Sequence, residues 1–142
     1  MNNLLEVAIK IAVQAHSGQL DKAGQPYVLH PLRVMLLLSD EKDRIVGVLH
    51  DVIEDTDITY EYLKVNGFEG ETEILEALES VTKKGGETYD EFIDRVSLNY
   101  IGKRVKLADL QDNMDLSRIP KPTTKDFKRL KKYEEAKAKL SK

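Results

Sequence analysis

The chain has 142 residues and no cysteine. That removes disulfides, zinc–thiolate sites and thiol nucleophiles together, so any metal it holds must be bound through nitrogen or oxygen. A run of about twenty apolar residues, long enough to cross a membrane as a helix, is also missing. Met1-Asn2-Asn3 leads straight into an amphipathic segment carrying Glu6 and Lys10, where a signal peptide would have an apolar core. A cytoplasmic location fits these absences. Charge of one sign is not in large excess: 22 Lys+Arg against 25 Asp+Glu leave a formal net charge of −3. Nothing in that balance attracts nucleic acid or an anionic membrane, and neither is expected as a partner. Few segments alternate with period two, which argues against strands. Histidine is scarce at three residues, yet His30 and His50 both sit where the surroundings are otherwise apolar.

What is present is helical periodicity. Leu4, Leu5, Ala8, Ile9, Ala12 and Val13 recur at three and four, predicting an amphipathic helix over 3–17 that ends at Gly18. The two glycines and the proline of 18–27 predict a loop. A helix is expected from Pro31, which suits a first-turn position, to Leu38. Asp40 can cap the next, over 41–54. Further helices are read over 59–65, 71–82, 88–99 and 101–117. Pro120 and Pro122 then break the chain before a last helix, 124–141. There Phe127, Leu130, Tyr133, Ala136 and Leu140 share a face, and Lys and Arg cover the other. The expectation is an all-α single domain, 1–142, a helical bundle of seven or eight helices with its motif-bearing core over about 3–117.

Around His50 the chain reads Ile45-Val46-Gly47-Val48-Leu49 and then Val52-Ile53, apolar around nearly the whole helix circumference. A carboxylate buried there without compensation costs several kcal/mol or titrates to neutrality, so a bound cation or a dense hydrogen-bond network is implied. On a continuous helix His50 and Glu54, and likewise Asp51 and Asp55, would lie along one side. The alternative is that His50 hydrogen-bonds within the core and the acids are surface charges at a helix end. His16, near the end of the first helix, suits packing or capping better than ligation.

The blocks fall in a definite order: Ala15-His16-Ser17-Gly18-Gln19, Gly24-Gln25-Pro26-Tyr27-Val28-Leu29-His30-Pro31, Leu49-His50-Asp51-Val52-Ile53-Glu54-Asp55-Thr56, Val81-Thr82-Lys83, Val105-Lys106-Leu107-Ala108-Asp109 and Asn113-Met114. This series, over about residues 7–117, resembles the hydrolase domain of RelA/SpoT proteins, of the stringent response, within the HD phosphohydrolase superfamily. The resemblance implies one divalent cation, usually manganese, with iron, zinc or magnesium as alternatives, held by His30, His50, Asp51 and Asp109. It implies that Glu54 and Asp55 position or deprotonate the attacking water, with a helix-end hydrogen-bonding pair as their alternative role. Lys22 would contact phosphate and Asn113 the nucleotide, or either is an ordinary surface side chain. The implied reaction removes the 3′-pyrophosphate from guanosine tetra- or pentaphosphate, so the partner is a small phosphorylated nucleotide. Such a short chain resembles a stand-alone hydrolase; a homo-oligomer is left open.

The pattern is not followed throughout. Asp21, Leu110 and Asp115 stand where these hydrolases usually carry Arg. Replacing guanidinium groups by carboxylates weakens stacking and phosphate contacts. Two further readings follow: a phosphohydrolase for another phosphorylated nucleotide or sugar, and a non-catalytic module that binds a metal or nucleotide.

Overall fold

A computed structural model describes residues 3–142, and among these it is all-helical apart from one isolated bridge, Leu20 to Pro26. The elements are α1 (Leu4–Ala15), α2 (Leu29–Leu37), α3 (Glu41–Leu49), α4 (Val52–Asp55), α5 (Tyr60–Leu63), α6 (Thr72–Ser80), α7 (Tyr89–Ser97), α8 (Tyr100–Asn113) and α9 (Thr124–Leu140). A π-helical stretch, Lys64–Phe68, follows α5, and a 3-10 turn, Leu116–Arg118, follows α8. No described helix is long and apolar enough to cross a membrane.

The helix starts follow local chemistry. Asn3, Asp40 and Asn99 each accept backbone N–H groups at the first turns of α1, α3 and α8, and Thr88 and Glu91 form a reciprocal capping box on α7. Gly67, at φ 115°, ends the π stretch in a backbone conformation that other residues rarely adopt. α2 begins two residues earlier than expected, which leaves Pro31 at its third position. That is still the first turn, where a missing N–H costs nothing.

The segment expected over 41–54 is not one helix. α3 stops at Leu49 and α4 starts at Val52. His50 explains the interruption: its Nδ1 lies 2.6 Å from the Gly47 carbonyl, the acceptor that a continuing helix would offer to Asp51.

The larger of two apolar clusters joins α1, α3, α6 and α8 through residues such as Ala8, Val48, Leu49, Phe68, Leu78 and Val105. The smaller joins α7, α8 and α9 through Ile93, Val96, Leu110, Ala136 and Leu140. Phe127 does not share that face and is 54% exposed. α2 and α3 both pack on α8, which thereby becomes the central strut. Gly102 lets α8 approach α6, since a Cβ there would collide with the Ser80 side chain. The site is built where α2, the α3–α4 break and α8 meet.

Candidate metal centre

Each helix of that junction delivers a donor. His30 comes from the first turn of α2, His50 and Asp51 from the α3–α4 break, and Asp109 from the third turn of α8. One donor atom from each of His30, His50 and Asp51 lies within 4.8 Å of the other two. Asp109 Oδ1 closes the group at 2.9 Å from His30 Nε2 and 3.1 Å from His50 Nε2, and Asp51 Oδ2 is 3.1 Å from His50 Nε2. Both imidazoles and Asp109 are buried, at 6% exposure or less. His50 and Asp51 reach the group from the break between α3 and α4, not from one continuous helix.

The residues fit a divalent ion. His50 Nδ1 faces the Gly47 carbonyl, which can only accept, so Nδ1 carries the proton of the neutral ring and Nε2 presents a lone pair to the centre. His30 is set the same way by Asp112, whose Oδ2 is 2.6 Å from Nδ1. Two imidazole nitrogens and two carboxylates form a mixed N/O donor set of the kind that accepts manganese, iron or zinc. As the groups stand, burial opposes charge on His50, but Asp51 and Asp109 raise its pKa well above the ordinary value. Burial likewise opposes charge on Asp109, and Lys106 and His50 outweigh it, holding the carboxyl well below the usual range.

Three supporting residues escaped the sequence reading. Asp112 accepts from Arg33 Nε at 2.8 Å as well as facing His30; against burial, His30 and Arg33 hold its pKa at about 2. Tyr27 donates its hydroxyl to Asp51 Oδ2 at 2.5 Å, and burial together with Asp51 raises its pKa, so the phenol stays protonated. Lys106 donates to Asp109 Oδ2 at 2.8 Å. Asp112 and Asn113 follow Asp109 at the spacings that share a helix face, which was the available signal for Asp112.

Of the remaining candidates, Glu54 and Asp55 are both exposed at the end of α4, where Glu54 accepts from the Lys83 backbone N–H at 2.5 Å. Burial, then Asp51, raises the pKa of both; for Glu54 the Lys83 N–H partly offsets this. Asn113 donates to Asp109 Oδ1 at 3.1 Å, and Lys22 lies exposed on the loop between α1 and α2. His16 is buried and its Nδ1 is 2.9 Å from Gln19 Oε1, as packing rather than ligation would have it. Gln19 in turn donates to the Asp55 carbonyl at 3.0 Å, tying the α1–α2 loop to α4.

A cavity of about 440 Å³ opens from His30 and is lined by Lys22, Asn113, Tyr27 and Tyr133 among others. Asp21 and Asp115 are on its wall; Leu110 is not, being fully buried in the smaller apolar cluster. The departure at Leu110 therefore concerns packing, whereas those at Asp21 and Asp115 bear on what the cavity accepts.

The helical domain thus brings His30, His50, Asp51 and Asp109 from distant stretches of the chain to one point. The resemblance to RelA/SpoT hydrolases holds in direct comparison: the chain is homologous to one segment of such proteins. It is 36% identical over 130 residues, 80% of the chain, to a guanosine-3′,5′-bis(diphosphate) 3′-pyrophosphohydrolase of Borreliella burgdorferi. It is 33% identical over 120 residues to the protein of the same name from Aquifex aeolicus, and 34% identical over 83 residues to the bifunctional (p)ppGpp synthase/hydrolase SpoT of Escherichia coli. The chain spans less than a fifth of the length of these relatives, 19%, 17% and 12% respectively. No family model matches it. In fold it is similar to a solved structure described as a metazoan ortholog of SpoT that hydrolyzes ppGpp, with a TM-score of 0.78 at 22% identity over 99% of this chain and 86% of that one.

Proposed function

We propose that the chain is a manganese-dependent phosphohydrolase that removes the 3′-pyrophosphate from guanosine 3′-pyrophosphates. The observation that carries this is the convergence of His30, His50, Asp51 and Asp109, with Glu54 in the short helix that starts directly after Asp51. A divalent cation held by those four residues supplies Lewis-acid activation of water and offsets charge developing on phosphorus. Imidazole donors favour manganese, iron or zinc over magnesium.

The chain's own residues do the rest. Glu54, whose pKa is raised by partial burial, is placed here as the group that takes a proton from the attacking water. Its bond from the Lys83 N–H fixes the carboxyl, and Asp55 adds a neighbouring negative charge that keeps its proton affinity high. Water adds to the phosphorus next to the 3′ oxygen, the bond from that oxygen to phosphorus breaks, and a proton passes to the departing 3′ oxygen. The products are pyrophosphate and GDP or GTP. Lys22 contacts phosphate and Asn113 the nucleotide at the cavity that begins at His30, which gives the substrate its place beside the centre.

Variants test the reading. His50→Ala and Asp51→Ala are expected to lose bound metal and turnover of guanosine 3′,5′-bis(diphosphate) together, with helical circular dichroism retained. Glu54→Gln is expected to keep the metal and lose turnover by about 10²–10⁴-fold. Full turnover in either of the first two variants would refute the assignment.

A further inference from the structure

His16 and Gln19 stand where the chain leaves α1, and neither is one of the four donors of the centre. His16 is 1% exposed, and its ring packs against that of Tyr27 with centroids 5.1 Å apart. Its Nε2 is buried without a hydrogen-bond partner among the described residues, so what the imidazole offers its surroundings passes through Nδ1, 2.9 Å from Gln19 Oε1. The other end of that amide is fixed as well: Gln19 Nε2 donates at 3.0 Å to the Asp55 carbonyl, which can only accept. Oε1 therefore faces the imidazole, and Nδ1 donates to it. A buried ring orients a half-buried amide, and the amide bridges 36 residues of chain to reach α4.

α4 needs such a hold. It has four residues, of which Val52 is buried, and a helix that short has little cooperativity of its own. The Asp55 carbonyl is among the groups that a helix end leaves without an internal partner, and Gln19 supplies one. Glu54 is the residue before, so the bond fixes the end of the helix that carries the carboxyl assigned to the attacking water. The Gln19 backbone serves the other end. Its carbonyl accepts from the Tyr27 N–H at 2.8 Å, and the Tyr27 hydroxyl donates to Asp51, the residue that starts α4.

We infer that Gln19 is a positioning residue: its amide, oriented by His16, pins the end of α4 and so fixes the backbone from which Glu54 projects. The consequence for turnover rests on the phosphohydrolase reading, whereas the hold on α4 does not.

Gln19→Met keeps the length of the side chain and removes both amide bonds, while the Tyr27 bond to the residue 19 carbonyl stays. Amide hydrogen exchange on the full chain reads the hold directly. In this variant the Asp55 and Thr56 N–H groups, which bond to the Asp51 and Val52 carbonyls, are expected to exchange about three- to tenfold faster, with α3 and α8 unchanged. Kinetics read the consequence. With manganese and guanosine 3′,5′-bis(diphosphate), kcat is expected to fall by about 10–100-fold while KM and manganese affinity stay within about threefold. In the Glu54→Gln background the same substitution should cost less than about threefold more, because a residue that acts through Glu54 has nothing left to place. Unchanged exchange in α4 overturns the inference whatever the turnover, as does exchange that rises equally in α3 and α8, or a loss of kcat that multiplies in full with that of Glu54→Gln. If α4 loosens as expected but the wild-type protein hydrolyses no guanosine 3′-pyrophosphate, the phosphohydrolase reading is refuted and the hold of Gln19 on α4 stands.

Discussion

Each imidazole of the centre has one nitrogen committed elsewhere, His50 to the Gly47 carbonyl and His30 to Asp112. For His30 the orienting group is itself held, because Asp112 is gripped by Arg33 and approached by Arg118. Partners of this kind fix which ring nitrogen is free to ligate, and losing one typically weakens metal affinity by about 10–100-fold. Asp112→Asn is therefore expected to lower manganese affinity by about that factor in a metal titration while leaving the thermal unfolding of the metal-free protein cooperative. Unchanged affinity would mean that packing alone orients His30. That His30, His50, Asp51 and Asp109 would come together was legible because polar residues stood in apolar stretches, where their burial demanded a reason. Asp112 was not singled out: its spacing from Asp109 puts the two on one helix face, but its imidazole partner lies 82 residues away in the chain, and spacing alone does not name it. Leu110 taught the reverse lesson: two residues before Asp112 on the same helix, it faces the core, so a departure in sequence beside a site need not be a departure in the site.

Helix existence followed from apolar period and capping residues, and most boundaries fell within two residues of expectation. The helix read over 101–117 stops four residues early, at Asn113, and the segment over 41–54 is not one helix at all. Its apolar period runs on through Val52 and Ile53, but a side-chain hydrogen bond to Gly47 competes with the backbone, and periodicity carries no trace of that competition. The loop between α6 and α7 is organised in a similar way by side chains. Arg95 donates to Glu87 at 2.8 Å and to the carbonyls of Glu79 and Thr82, tying the end of α6 to α7. Hydrogen bonds from Arg95 and then from the Lys84 N–H hold the Glu87 carboxyl at about 2, against an ordinary value of 4.5. A carboxyl with a depressed folded-state pKa contributes stability that is fully present above its unfolded value and lost as pH falls through the folded one. The stability difference between wild type and Glu87→Gln should thus be constant above about pH 4.5 and shrink towards zero as pH falls to about 2. Urea denaturation at a series of pH values measures it, and a difference that does not change across this range would show that the tie contributes nothing through its charge.

At the scale of the molecule, α2, the α3–α4 break and α8 meet over a cluster of buried charges that the apolar cores on either side cannot neutralise. Burial opposes charge on both imidazoles and on Asp51 and Asp109, while the opposite charges beside them push the other way, raising the pKa of the two histidines and lowering that of the two aspartates. Such an arrangement is a poor source of stability by itself, because desolvation offsets much of the attraction. A divalent ion changes the balance, since its ligands are drawn from three elements that only the folded chain brings together. Binding to the native state alone stabilises by about 2.7 kcal/mol when free metal is at a hundred times its dissociation constant. For a domain of this size that corresponds to a rise in Tm of about 5–10 °C. Differential scanning calorimetry with manganese and then with excess chelator should show the rise and its reversal, and Asp109→Asn should show neither. If Asp109→Asn gained as much as wild type, the stabilising ion would sit somewhere other than the junction of these helices, and the proposed hydrolytic site would have to be drawn elsewhere in the fold.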